Sequence, residues 1–187
     1  YVYKRQAYGY NLCSVGLPGD GFRNQHDSIK WQLLEDLRET GLRVAAEVYG
    51  LFAPLLPQVA RDHYDQLPYR KRQGLVPDLL VAGRWGTGEP IRDVLAELKT
   101  LHCAARTYPA SEERCHAVNR RSEQIAAEYR RKARALDQRW LGSPPNRPGP
   151  VELKLRGYGE IQGLVFGSWG EASRAVSSLL SAAVDSG

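Results

Sequence analysis

The stretch LVPDLLV, from Leu75 to Val81, sets an aspartate into a short apolar run directly after a proline. A second apolar stretch, LAELKTL from Leu95 to Leu101, carries a glutamate and a lysine two positions apart. Short apolar runs bounded by turn residues are typical of buried strands, and residues i and i+2 of a strand point to the same face. If both runs are strands, two carboxylates and one ammonium group can meet on one face of a sheet.

These three groups suit the metal-assisted hydrolysis of a phosphodiester. Such chemistry needs oxygen ligands for Mg²⁺, a polarised water and a cation near the phosphate. Asp78 and Glu97 are the candidate metal ligands, and the carbonyl of Leu98 can add a further oxygen. Lys99 is the candidate group beside the water, where its charge also offsets the charge that builds on the phosphate.

The composition is that of a soluble, mildly basic protein. The 187 residues are 42% hydrophobic and carry a formal net charge of +5, which permits a polyanionic partner without requiring one. No apolar run approaches the roughly 20 residues of a membrane span, and no signal-peptide pattern opens the chain. The length favours a single domain over residues 26–187, after an irregular lead-in over residues 1–25 that is rich in Gly, Tyr and Asn. The absence of methionine suggests a fragment of a longer polyprotein.

The three cysteines form no C-x-x-C pair, and their odd number argues against a disulfide framework. A reducing compartment follows. Thiolate and imidazole suit zinc, so a small zinc-stabilised interaction domain is a further alternative, although the spacings match no zinc finger or ribbon. The residues for such a site are Cys13 with His26, or His102, Cys103, Cys115 and His116.

Periodicity predicts a mixture of helices and strands. A helix is predicted over residues 28–40, with Gly41 as its left-handed stop, and a strand follows that bears Glu47 on one face. Residues 54–73 are predicted to make an excursion over the surface. Residues 91–103 fit either an amphipathic helix, which periodicity favours, or a strand. A long helix over 111–137, strands over 151–159 and 161–169 and a closing helix complete the chain.

Asp78 preceded by Pro77, then Glu97-Leu98-Lys99, resembles the PD-(D/E)xK motif of the restriction-endonuclease-like nuclease superfamily. A preceding helix, a strand bearing an acidic residue and a long basic helix after the Glu-x-Lys match the same context. More narrowly, most of residues 12–180 is similar to the nuclease-like region towards the C-terminus of some reverse-transcriptase-bearing mobile-element proteins. The stretches that carry this similarity are QHDSIKWQLLEDLRETG, VPDLLV, LAELKTLH, EYRRKARALD and GLVFGSWGEAS.

The resemblance implies an α/β fold with a restriction-endonuclease-like mixed central sheet flanked by helices, and it places the Glu-x-Lys on a strand. It further implies a DNA endonuclease that uses Mg²⁺ or Mn²⁺, held by Asp78 and Glu97 with Lys99 beside the water, and leaves 5′-phosphate and 3′-hydroxyl ends. Glu47 is the candidate for a further acidic catalytic group. The location would be intracellular, and nuclear if the mobile element is eukaryotic. The alternative is an inactive nuclease-like module that docks DNA or protein in a larger assembly.

Basic and polar residues near the motif are candidates for phosphate contacts, which give affinity without reading sequence. They are Arg72, Gln73, Arg120, Arg121, Arg131 and Lys132.

Three other features have a simpler interpretation than catalysis. His26, beside Asp27, is predicted to cap or pack. Gln124 and Tyr129 depart from the Gln-x-x-x-Tyr spacing of related nucleases, so both are predicted to pack. A second Glu-x-Lys, Glu152-Leu153-Lys154, lies beyond the long helix, and the spacing of adjacent strands favours Glu97 over it.

Overall fold

The computed structural model describes residues 21–67, 75–82, 93–102, 107–159 and 161–184, with side chains from residue 26 onwards. This part of the chain contains both helices and strands. In order they are α1 (Gly21–Glu39), β1 (Arg43–Ala46), a 3₁₀ turn (Ala53–Leu55), α2 (Gln58–Asp65), β2 (Leu79–Ala82), β3 (Val94–Leu101), α3 (Ser111–Leu141), α4 (Pro150–Gly157), β4 (Gln162–Gly167) and α5 (Arg174–Val184).

The strands form one mixed sheet in the order β1-β2-β3-β4. The first three strands are antiparallel neighbours, and β4 runs parallel to β3. Parallel neighbours need a long crossover, and α3 and α4 supply it. The predicted α/β class with a mixed sheet flanked by helices is therefore confirmed.

Each face of the sheet packs against its own group of helices. On β3 the side chains of Ala96 and Leu98 join one cluster with Leu34 of α1 and Leu179 of α5. Leu95 joins the other cluster, which α3 and α4 complete and which includes Val118, Ile125, Tyr129, Val151 and Leu155. A central strand that is buried on both sides explains why its sequence looked ambiguous between helix and strand.

Helix α1 begins at Gly21, earlier than predicted, so the end of the predicted irregular lead-in is helical. Residues 1–20 lie outside the described part. The buried stripe of α1 consists of Leu33, Leu34 and Leu37. Gly41 has a φ of +82°, and its N–H donates to the carbonyl of Arg38, so the predicted left-handed stop is confirmed.

One stretch decides between alternatives left by the sequence, and a second corrects a predicted strand. Residues 94–101 form a strand, so the helix that periodicity favoured is wrong and the strand implied by the resemblance is confirmed. Residues 150–157 form helix α4, so the predicted strand over 151–159 is wrong. The N–H groups of Val151 and Glu152 donate to the buried carboxylate of Asp137 at 2.8 and 2.9 Å, and this remote carboxylate caps the helix.

The surface excursion predicted over 54–73 contains the 3₁₀ turn and α2 in its described portion. Within the described ranges, no helix has both the length and the apolar character of a membrane span.

Candidate functional site

The pairing of β2 with β3 brings the two candidate metal ligands, Asp78 and Glu97, to neighbouring positions. Leu79 of β2 pairs with Ala96 of β3 in the antiparallel ladder. The ladder ends there; continued by one residue, the register aligns Asp78, which directly precedes β2, with Glu97. Lys99 lies on the same face of β3 as Glu97, because it is two residues further along the strand.

Asp78 lies directly before β2, just beyond the last pair of the β2–β3 ladder. Its Oδ2 accepts the backbone N–H of Leu98 at 2.8 Å, so a side chain replaces the missing strand neighbour. The side chain is 17% exposed. Burial raises the pKa of Asp78, but hydrogen bonds from His26 and from the Leu98 N–H outweigh it and hold the pKa below its usual value. Asp78 is therefore fixed as a carboxylate in a partly buried place.

Glu97 is held from two sides. Its Oε1 lies 2.6 Å from the ammonium group of Lys99, and its Oε2 accepts a hydrogen bond of 2.6 Å from the phenol of Tyr129 on α3. The phenol oxygen also lies 3.1 Å from the carbonyl of Val76. Burial, followed by the charge of Glu97, raises the pKa of Tyr129, which keeps it a donor. Lys99 remains 39% exposed, so its ammonium group can reach a bound substrate.

Helix α1 brings a histidine into the site. The Nε2 of His26 lies 3.1 Å from the Leu98 carbonyl oxygen and 3.5 Å from Oδ2 of Asp78. Its Nδ1 lies 3.1 Å from the Asp27 carboxylate. The hydrogen bond with Asp78 raises the pKa of His26, although burial works in the opposite direction. His26 thus contacts Leu98 and Asp78 as well as its neighbour Asp27.

A buried lysine joins this histidine to Glu47. Lys30 is 3% exposed, and its ammonium group lies 2.7 Å from Glu47 and 3.3 Å from Asp27. Tyr49 donates to the other oxygen of Glu47 at 2.7 Å. The hydrogen bond from Lys30 lowers the pKa of Glu47 below its usual value. Glu47 therefore lies at the end of a chain of paired charges that leads through Lys30 and Asp27 to His26.

The backbone at Glu47 is strained. Its φ of +47° lies in the left-handed region that residues with a side chain seldom adopt. The Glu47 N–H donates to the carbonyl of Asp78 at 2.8 Å, and that of Val48 donates to the carbonyl of Pro77 at 3.1 Å. The bend at the end of β1 thus continues the backbone contact with the Pro-Asp segment while it turns the carboxylate towards Lys30.

The second Glu-x-Lys has a structural role. Glu152 is fully buried on α4, where it forms ion pairs with Arg134 at 2.8 Å and Arg156 at 2.6 Å. These arginines lower the pKa of Glu152 to about 2, with Arg134 the larger cause. Lys154 donates instead to the carbonyl of Leu51. This motif is separate from the group around Asp78, as the spacing predicted.

The candidate phosphate-binding residues divide into three groups. Arg120, Arg131 and Lys132 are exposed on α3. Arg121 forms an ion pair with Glu128 at 2.6 Å, so its charge is already partly neutralised. Arg72 and Gln73 lie outside the described residues.

No cluster of three or more His, Cys, Asp or Glu side chains arranged to hold a metal is found in the described ranges. The Asp78 site offers a different donor set, two carboxylates and a main-chain carbonyl, which such a cluster does not cover. Of the candidate zinc ligands, Cys115 is exposed on α3, while Cys13 and Cys103 lie outside the described residues.

Two contacts in this site could not be read from the local motif. Tyr129 and His26 come from helices on opposite faces of the sheet, and only the way these helices cross β3 brings them to Glu97 and Leu98. The available signal was weak. It consisted of a histidine next to an aspartate at the start of the predicted helix, and of a tyrosine on the long helix that follows the Glu-x-Lys.

Comparison of the chain with protein-family models, with curated proteins and with solved structures finds no match.

Proposed function

We propose that this chain is a metal-dependent DNA endonuclease of the PD-(D/E)xK type, from a mobile-element protein, with a restriction-endonuclease-like sheet. One observation supports the proposal most. Asp78, next to the first pair of the β2–β3 ladder, accepts the N–H of Leu98 between Glu97 and Lys99, and the Lys99 ammonium group lies 2.6 Å from the Glu97 carboxylate. Two partly buried carboxylates close together are costly without compensating positive charge, and Lys99 supplies part of it here.

The residues present fit Mg²⁺ or Mn²⁺. Asp78, Glu97 and the Leu98 carbonyl supply hard oxygen ligands of the kind these ions prefer. Within the described part of the chain, Oδ1 of Asp78 accepts no hydrogen bond, so one oxygen of a largely buried carboxylate is left for a ligand. A divalent cation bound here supplies a polarised water and positive charge for the phosphate.

The protein groups around the carboxylates have distinct tasks in this proposal. The Leu98 N–H and Tyr129 fix Asp78 and Glu97 in place before any substrate binds. Lys99 orients the attacking water and offsets charge that develops on the phosphate. Glu47 acts as a positioning residue, because its carboxylate is engaged by Lys30 and Tyr49.

The exposed basic residues of α3 give the DNA backbone a place to bind. Lys132 lies one turn beyond Tyr129, and its ammonium group is 5.4 Å from the centre of that ring, which contacts Glu97. Arg131 lies on a different side of the helix, where it is exposed. Arg120 extends the basic face towards the start of the helix. Contacts of this kind hold a duplex in position without reading its sequence.

Nicking of supercoiled plasmid in the presence of Mg²⁺ or Mn²⁺ tests this function. We expect the purified protein to nick, chelation to abolish nicking, and Asp78→Ala and Lys99→Ala each to reduce the rate about 100-fold or more. The control for the loss of a carboxylate is Asp62→Ala, which changes an exposed aspartate on α2. We expect this variant to nick at the unaltered rate.

A nuclease-like module that docks DNA or protein without cutting is the second candidate. It is favoured by the internal pairing of Glu97, both of whose oxygens already have partners in Lys99 and Tyr129. DNA binding that survives Asp78→Ala and Lys99→Ala, with no nicking by the unaltered protein at any metal concentration, would select the docking function over the nuclease.

A further inference from the structure

The turn after β4 presents a tryptophan to the surface. Trp169 keeps 41% of its surface exposed, although tryptophan is a residue that proteins usually bury. Gly170 closes the turn with a φ of +91°, and its N–H donates to the carbonyl of Gly167 at 3.3 Å. Phe166 and Ala172 form an antiparallel bridge, so the chain reverses between them. Trp169 therefore lies at the tip of a tight turn.

A buried carboxylate fixes the backbone of this turn. Glu171 is 8% exposed, and its Oε2 accepts the backbone N–H of Trp169 at 3.1 Å. The carbonyl of Glu171 accepts the N–H of Gly167 at 2.7 Å. A Cβ at Gly167 would collide with the same Oε2, so the carboxylate occupies the space that a side chain would need. These contacts leave the tryptophan little freedom to turn inwards.

Arg114, near the start of α3, supports both the carboxylate and the ring. Its Nε donates to Glu171 at 2.5 Å, and its Nη1 donates to the carbonyls of Tyr108 and Pro109 at 3.2 and 3.0 Å. The centre of the guanidinium group lies 5.6 Å from the centre of the Trp169 ring, which is within cation–π distance. The ring is thus held in a defined orientation while much of it stays exposed.

The turn lies beyond the end of β3 to which Lys99 points from Glu97. Lys99 pairs with Val165 in the parallel β3–β4 ladder, and Trp169 follows Val165 by four residues. The Cα atoms of Val165 and Trp169 are therefore at most about 13 Å apart. One strand of a duplex rises about 3.4 Å per nucleotide, so Trp169 is within reach of a base about four nucleotides from a phosphate at Lys99.

We propose that Trp169 stacks on a base of the bound DNA, a few nucleotides from the cut, and that the protein prefers DNA whose bases are unpaired there. Every base has a face that can stack on an aromatic ring, so this contact is tolerant of sequence. Inside a duplex both faces of a base are covered by its neighbours. The ring can therefore stack only on an unpaired base or on one at a strand end.

This inference rests on the proposed function for the position of the cut. It deepens that function by naming the substrate class, which is a duplex with a single-stranded segment beside the phosphate to be cut.

Photocrosslinking to iododeoxyuridine gives a direct readout in the unaltered protein. Irradiation links this base analogue to an aromatic side chain that stacks on it, and mass spectrometry identifies the linked residue. The probe is a duplex with a short single-stranded extension that carries the analogue, and metal is left out so that no cutting occurs. We expect the crosslink to form at Trp169. Crosslinks confined to other residues overturn the inference.

The affinity for the same DNA shows what the ring contributes. We expect Trp169→Ala to weaken binding of the extended duplex about 5-fold or more, and to leave binding of a blunt duplex nearly unchanged. Trp169→Phe keeps an aromatic ring and should retain most of the affinity. Leu153→Ala, which changes a 55% exposed residue of α4, is the control for the loss of exposed apolar surface. Fluorescence anisotropy measures all four proteins, and equal affinities of Trp169→Ala and the unaltered protein for the extended duplex overturn the inference.

Two outcomes separate the stacking contact from the proposed function. A protein that crosslinks through Trp169 but never nicks with Mg²⁺ or Mn²⁺ establishes the contact and overturns the nuclease. A protein that nicks, but crosslinks elsewhere and nicks equally well as Trp169→Ala, overturns the contact and leaves the nuclease intact. If Trp169 docks another protein instead of DNA, it links to no base, which also overturns the inference. Because the crosslink is measured in the unaltered protein, a variant that fails to fold does not prevent the decision.

Discussion

The phenol of Tyr129, near the middle of α3, donates a hydrogen bond of 2.6 Å to the Glu97 carboxylate on β3. This bond ties the long helix to the strand that carries the Glu-x-Lys. It also leaves Oε1 of Glu97 to Lys99, so each oxygen of the carboxylate has its own partner. The orientation of Glu97 therefore depends on a residue that belongs to a different element and packs in the apolar core beneath α3.

Tyr129→Phe removes this donor and leaves the ring in place. We expect the rate of plasmid nicking to fall about 10-fold or more, as it does when a group that orients a metal ligand is lost. The metal concentration for half-maximal rate should rise, which a purely structural role would not produce. Tyr158→Phe is the matched control, because Tyr158 lies near Asp93 at the opposite end of β3. Equal kinetics for both variants would remove Tyr129 from the site.

Gly163 sets the distance between β4 and α3. A Cβ at this position would lie 2.6 Å from the backbone carbonyl oxygen of Ser122, whose hydroxyl donates to the Gly163 carbonyl. Gly163→Ala should therefore lower the free energy of unfolding by about 1–3 kcal/mol. Gly157→Ala, where a Cβ meets no atom within 4 Å, should leave it unchanged or raise it by up to about 1 kcal/mol. Chemical denaturation of the two variants measures the difference, and equal stabilities would contradict the close approach.

Local pattern was sufficient for much of the fold and insufficient for one helix. The stop at Gly41 and the long helix, predicted over 111–137 and found over 111–141, follow from side-chain period and glycine chemistry, which act within a few residues. Helix α4 was missed because two residues of α3 stabilise it. Asp137 caps its first N–H groups, and Arg134 neutralises its buried Glu152. Both contacts are remote in sequence, so no local window contains them.

The candidate site also has a part that the sequence predicts and a part that only the fold brings together. Asp78, Glu97 and Lys99 belong to a motif whose spacing and strand alternation are visible in the sequence. The contacts of His26 with Leu98 and of Tyr129 with Glu97 depend on how two helices cross the sheet. The sequence could supply the candidates but not the crossing geometry.

Glu47→Gln tests whether this carboxylate acts on the substrate or through Lys30. Lys30 is almost fully buried, so loss of its charged partner should lower the free energy of unfolding by about 1–3 kcal/mol. If Glu47 is a positioning residue, Glu47→Gln should lower the nicking rate far less than Asp78→Ala does. Glu39→Gln, at an exposed position of the same helix as Lys30, is the control for stability. A loss of nicking as large as that of Asp78→Ala would make Glu47 catalytic.

The basic face of α3 should bind the DNA backbone. Arg131→Gln and Lys132→Gln are each expected to weaken DNA binding equally for unrelated sequences. Each should also reduce the slope of log affinity against log salt by about 0.9, the value for one phosphate contact. Arg61→Gln changes the net charge by the same amount from α2 and is the control. If all three variants weaken binding alike, general charge rather than this face accounts for the affinity.

The buried ion pairs of Glu152 predict how stability depends on pH. Arg134 and Arg156 lower the pKa of Glu152 to about 2 in the folded protein, whereas the unfolded chain has the ordinary value near 4.5. The folded state therefore binds fewer protons between these values. The contribution of Glu152 is fully present above about pH 4.5 and is lost as pH falls towards about 2.

Glu152→Gln should accordingly lower the free energy of unfolding at pH 7. The expected loss is about 1–2 kcal/mol, because both arginines are half exposed and keep part of their hydration. The difference from the unaltered protein should shrink as the buffer is acidified. Glu128→Gln removes a glutamate from a partly exposed pair with Arg121 and should cost less than about 0.5 kcal/mol at any pH. Denaturation at a series of pH values measures both variants, and a Glu152→Gln deficit that stays constant down to about pH 2 would contradict the ion-pair origin.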